Sequence, residues 1–97
     1  MALTAIHPGE HLAEELEALQ MSAAALARKL DVPTNRVTQI LNGTRAITGD
    51  TALRLARYFG TSDRFWLNLQ ARYDLEVERD HLGAKLEREV RVLDRAS

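Results

Sequence analysis

The sequence predicts an all-α domain, and three observations carry that expectation. Leu, Ala, Glu and Arg dominate the 97 residues, while Gly and Pro number five and two, a composition that favours helices. Apolar residues recur at spacings of three and four along most of the chain. Residues 22–45, SAAALARKLDVPTNRVTQILNGTR, read as two short helices joined by a tight turn, the pattern of a helix-turn-helix. The length suits one domain with a modest single core. The expected plan is a five-helix domain over residues 1–75 and a C-terminal amphipathic helix within residues 76–97.

Each element has a local signal. Pro8 at a first-turn position opens the first helix, which runs to about residue 20 with Leu12, Leu16 and Leu19 at helical spacing. Ser22 is a suitable N-cap for the second helix, and Met21 before it can staple onto Leu26. That helix ends near Leu30. Pro33, tolerated only in a first turn, restarts the chain as the third helix. Asn42 and Gly43 end it, with Gly43 able to adopt the left-handed cap conformation. Thr48 caps the fourth helix, which is expected to bury Leu53, Ala56 and Phe59 and to stop at Gly60. Thr61 or Ser62 starts the fifth, which contains Phe65, Trp66, Leu69 and Tyr73. Leu82, Leu86, Val90 and Leu93 are spaced four, four and three apart, predicting a sixth amphipathic helix in a highly charged tail.

Composition excludes several classes of function. Without cysteine there is no disulfide framework, thiol nucleophile or Cys-ligated zinc. No apolar run approaches a membrane span, and MALTAIHPGE lacks the basic and apolar regions of a secretory signal, so a cytoplasmic protein is expected. The net charge is −1, but it is unevenly distributed. Residues 1–21 carry four glutamates and no Lys or Arg. Residues 22–58 carry six basic groups against Asp31 and Asp50. Residues 59–97 are nearly balanced, with seven basic and eight acidic groups. The positive charge therefore coincides with the helix-turn-helix, and local sign governs docking on phosphates more than the total does.

On a helical wheel the third helix has two faces. Val37, Ile40 and Leu41 cluster on the side that must meet the core. Asn35, Thr38, Gln39 and Asn42 fall opposite, with Thr34 and Arg36 on the flanks. The outward row holds short hydrogen-bonding side chains rather than the Glu/Lys pairs of a solvated helix. Asn and Gln can pair bidentately with adenine, and Thr can hydrogen-bond or offer its methyl to thymine. Arg36 could reach guanine or a phosphate. The free amides of Ser22, Ala23 and Ala24 could hold a phosphate, and Asn42, Gly43, Thr44 and Arg45 could supply amides and a cation to the neighbouring strand. Ala27 is small where the two helices cross.

The order HPGEHLAEEL, LARKLDVPTNRVTQILNGTRAIT and DTALRLARYFGTSDRFWLNLQARYDL resembles the HigA-type antitoxins, helix-turn-helix proteins of the lambda-repressor-like class, from about residue 7 to residue 75. The resemblance implies a dimer that represses its own operon at a palindromic operator. It also implies a protein partner, a HigB-like toxin that cuts mRNA, which the antitoxin binds and neutralises. By motif position it implies base-facing roles for Thr34, Asn35, Thr38 and Gln39, with Arg36 beside them, and backbone contacts from Ser22, Asn42, Thr44 and Arg45. Asp31 departs from the Gly common at this turn, and Ala23 stands where related repressors often have Gln.

A two-fold operator requires a two-fold protein. Phe65, Trp66, Leu69 and Tyr73, together with Leu67 and Ala71, point in too many directions for a single core stripe. A dimer face on the fifth helix and a fully buried central helix both account for this, and the resemblance favours the dimer. The stripe from Leu82 to Leu93 could pack on its own domain, extend the dimer or dock the toxin. The acidic face with Glu10, Glu14, Glu15 and Glu17 could meet a basic toxin or simply be solvated. His7, Glu10, His11 and Glu14 are the only cluster suggesting a metal or catalysis, but Pro8 places His7 at or before the cap, off the face of His11. No cofactor, metal or small-molecule ligand is expected. A stand-alone transcriptional regulator of the same fold, or an interaction module that no longer binds DNA, are the competing readings.

Overall fold

The computed structural model describes residues 5–95. They form six helices in chain order: α1 (Pro8–Leu19), α2 (Ala23–Leu30), α3 (Thr34–Leu41), α4 (Gly49–Phe59), α5 (Asp63–Leu82) and α6 (Lys85–Glu89). No strand occurs among the described residues. No helix there is long and apolar enough to cross a membrane.

Caps set the helix boundaries. His7 caps α1: its Nδ1 accepts the Gly9 N–H at 2.8 Å, while the Glu10 carboxylate accepts the His7 N–H at 3.3 Å. This is a reciprocal capping box built on histidine. Ser22 Oγ accepts the Ala25 N–H at 3.0 Å and starts α2. Asp31 ends α2 at φ 58°, inside the left-handed region that costs a side chain with a Cβ. Pro33, extended, precedes α3, and Gly43 at φ 78° turns the chain after it.

The core joins the inner faces of α1 to α5. Leu12, Leu16, Leu26, Leu30, Val37, Ile40, Ile47, Ala52 and Leu55 surround Trp66. The Trp66 ring meets Phe65, Phe59 and His11 with centroids 5.1, 5.8 and 5.6 Å apart. Fully burying a Leu, Ile or Val contributes about 1.5–3 kcal/mol, so this cluster dominates stability. Met21 packs against the same core as Leu26. Gly9 allows α1 to approach α3 closely: a Cβ there would meet the Ile40 carbonyl oxygen, with its carbon 2.9 Å away.

Three expectations are corrected. Leu53 is 59% exposed; the buried line of α4 is Thr51, Ala52, Leu55 and Ala56. At about 100° per residue, Leu53 stands about 160° from Leu55 and cannot share its face. Leu19 shares the wheel face of Leu12 but lies at the end of α1, beyond the core, and is exposed. The stripe from Leu82 to Leu93 does not form one helix. Leu82 closes a 20-residue α5, Gly83 breaks the helix at φ 50°, and α6 has five residues, none buried. Val90 is extended and Leu93 lies outside any helix. Short helices gain most of their stability from packing, and residues 83–95 are all exposed.

Candidate nucleic-acid interface

The site is the outer surface of α2, the turn and α3. Val37 and Ile40 anchor α3 in the core, Ala27 is buried where α2 crosses it, and these contacts fix which face is left outside. Thr34 and Asn35 are exposed, and Thr38 and Gln39 half-buried. The side-chain amides of Asn35 and Gln39 make no hydrogen bond among the described residues, leaving both donors and acceptors available. The Thr38 hydroxyl donates to the Asn35 carbonyl at 3.3 Å, which leaves its methyl and lone pairs facing outward.

Arg36 is already engaged. Its guanidinium donates to Asp50 at 2.7 Å, and Arg54 Nε donates to the same carboxylate oxygen at 2.8 Å. Arg54 also donates to the Leu30 carbonyl at 2.8 Å and to the Asp31 carbonyl at 3.4 Å. The hydrogen bonds from Arg54, and then from Arg36, hold the Asp50 carboxyl below its ordinary range. Asp50 thus ties the first turn of α3 to α4, and Arg54 ties α4 to the C-terminal carbonyls of α2, where a cation is favoured. This clamp links α2, α3 and α4 at the surface. Sequence reasoning passed over it, although Asp50 and Arg54 stand at the spacing of a helical ion pair.

The flanks are partly as expected. Ser22 is exposed and its oxygen caps α2; the preceding amides of the first turn have no internal acceptor, as helix geometry requires. Past α3, however, the amides of Asn42, Gly43 and Thr44 are not free. Asn42 donates to Thr38, Gly43 to Ile40 and Thr44 to Gln39, each at 2.9–3.0 Å. The Thr44 hydroxyl also donates to the Gln39 carbonyl at 3.1 Å. What this loop offers a phosphate is the Asn42 side chain and the exposed guanidinium of Arg45, which makes no ion pair among the described residues. The loop is held from behind by buried Gln70, whose Oε1 accepts the Ile47 N–H at 2.8 Å while its Nε2 donates to Asp74 at 2.9 Å.

The candidate dimer residues fall differently. Trp66 is 1% exposed and belongs to the chain's own core, so it is unavailable to a second copy. Phe65 and Leu69 pack against that core, and the Tyr73 ring lies edge-on to His7 at 4.8 Å. The apolar residues that α5 exposes are Leu67, Leu75 and Val77. His7 is the buried cap of α1, and His11 pairs with Glu15 at 3.8 Å. No group of three or more metal-ligating side chains occurs among the described residues.

Residues 12–66 match the helix-turn-helix family. Virulence-associated protein I of Dichelobacter nodosus is 51% identical over 76 residues, covering 77% of this chain and 70% of that protein. An addiction module antidote protein of the HigA family from Coxiella burnetii is 58% identical, with a TM-score of 0.91 over 94% of this chain and all of that one. The Pseudomonas aeruginosa antitoxin HigA, solved with the higBA promoter, is 44% identical, with a TM-score of 0.88 over 93% of this chain and 99% of that one. With the family match over residues 12–66 and this identity and structural likeness over nearly the whole chain, the chain belongs to the HigA-type helix-turn-helix family.

Proposed function

We propose that this protein is the antitoxin of a type II toxin–antitoxin module, acting in the cytoplasm without catalysis. As a homodimer it represses its own operon by reading double-stranded operator DNA, and it binds and neutralises a HigB-like ribonuclease toxin. The observation that carries the DNA half is the outer face of α3: Asn35 and Gln39 have unused amides there, on the one net-positive segment of the chain. In this reading Thr34, Asn35, Thr38 and Gln39 read bases, and Ser22, Asn42 and Arg45 hold phosphates, while Thr44, expected beside them, gives both its donors to the Gln39 carbonyl and shapes the loop instead. Arg36 positions the helix through Asp50 and reaches bases only from that tether. The DNA-reading unit is residues 1–75 and the rest an extension, since Gln70 is the last buried residue among those described. The toxin half is supported by the likeness to HigA proteins.

Each half has its own experiment. Binding to the protein's own promoter should weaken steeply with salt, and Asn35→Ala/Gln39→Ala should cost about 1–3 kcal/mol per lost bidentate contact in gel shifts. Salt-insensitive binding, or an unaffected double variant, contradicts operator reading. For the toxin, the adjacent reading frame is expressed alone and together with this chain. Toxicity alone and harmless copurification together support the antitoxin; a harmless neighbour leaves the stand-alone regulator.

A further inference from the structure

A groove of about 510 Å³ lies between the end of α2 and the outer face of α4, lined by Lys29, Leu30, Leu53, Arg54, Arg57 and Tyr58. Leu53 and Tyr58 are its exposed apolar surface, 59% and 36% accessible, and the Tyr58 hydroxyl leans on Met21 Sδ at 3.8 Å. Arg54 is consumed by Asp50 and Leu30. Lys29 and Arg57 are exposed and pair with no carboxylate among the described residues. An apolar floor with unpaired cations at its rim fits a surface with the opposite charge and room for a leucine.

The chain itself carries such a surface. On α1, Glu10, Ala13, Glu14, Glu17 and Ala18 are all exposed, and their spacing places them on one helical face. Glu14 and Glu17 have no basic partner among the described residues. Ala13 at one edge of this face leaves space for a side chain the size of Leu53. We propose that the α2/α4 groove of one copy receives the acidic outer face of α1 of another. Leu53 packs on Ala13, beside Glu17 on that face, and Lys29 and Arg57 face Glu14 and Glu17. The contact joins unlike patches, and in its head-to-tail form the copy at each end of a row keeps one patch free for the next. Exposed ion pairs around a small apolar centre make a weak contact. It therefore operates where copies are already held side by side, as on neighbouring DNA sites, and fills such sites cooperatively.

The test is sedimentation velocity of the full chain without DNA, so it does not depend on operator reading. At about 20 mM salt the weight-average sedimentation coefficient should rise with concentration up to about 1 mM, and at about 0.5 M salt it should stay at the smallest species. Glu14→Lys/Glu17→Lys and Lys29→Glu/Arg57→Glu should each weaken this association about tenfold. An equimolar mixture of the two variants should restore it, because each then presents the complement of the other. Leu53→Gln should weaken it with every charge intact, and circular dichroism should show all variants folded. No growth of the wild type at low salt overturns the proposal, as do reversed variants that associate like wild type or a mixture that fails to recover.

Discussion

Gly9 has no room for a side chain, because a Cβ there would meet the Ile40 carbonyl of α3. Gly9→Ala must push α1 away from α3 or bend the end of α3. A loss of about 2–3 kcal/mol is expected, read as a lowered midpoint in thermal or urea unfolding. An isolated glycine in the first turn of a helix is a visible signal in the sequence, but the carbonyl it approaches is not. Asp50 gives a pH-dependent counterpart. Its folded pKa lies below the unfolded value, so its contribution is full above the ordinary carboxylate range and fades as pH falls through the lowered value. Asp50→Asn should therefore reduce stability near neutral pH, and the gap from wild type should close on acidification. Unfolding curves at several pH values check the sign, and a gap that widens toward acid contradicts it.

At the scale of elements, the start of α1 at Pro8, the Ser22 cap of α2 and the break at Gly43 were legible because they are local: a fixed proline φ, a capping oxygen and a left-handed glycine act within a few residues. The two faces of α3 were legible for the same reason, since periodicity alone separates Val37 and Ile40 from Asn35 and Gln39. The loop after α3 was not. Its amides turn inward, and its position depends on Gln70, which is 23 residues away from Ile47 in the chain. Gln70→Ala leaves the buried Ile47 N–H without an acceptor and should cost about 1–3 kcal/mol. Hydrogen exchange at Ile47 should accelerate more than at Leu26, whose N–H bonds to the Ser22 carbonyl at the start of α2. Equal acceleration at both amides would point instead to global destabilisation.

The whole molecule measures 57 × 30 × 21 Å, long because α5 continues for 20 residues and carries Leu75 and Val77 beyond the core. Leu67, Ala71 and Leu75 follow one another at helical spacing and are exposed, whereas Trp66, Phe65 and Leu69 serve the interior. If this stripe joins two copies, Leu67→Glu/Leu75→Glu should give a folded monomer in size-exclusion chromatography. Its operator affinity should fall by about 100-fold or more, since two recognition helices no longer bind as one unit. A dimer that survives both substitutions rejects this face.

Helical class, helix starts and the polar outer row of α3 follow from short-range physics: dihedral preferences, capping and periodicity act between neighbours in the chain. Packing settled the remainder. The tethering of Arg36 by Asp50, the exposure of Leu53, the burial of Trp66 and the division of the tail at Gly83 all depend on which surfaces meet at long range. Hydrophobic burial is non-directional, so spacing can show that a side chain is able to face a partner. Only the assembled core decides whether a partner is there.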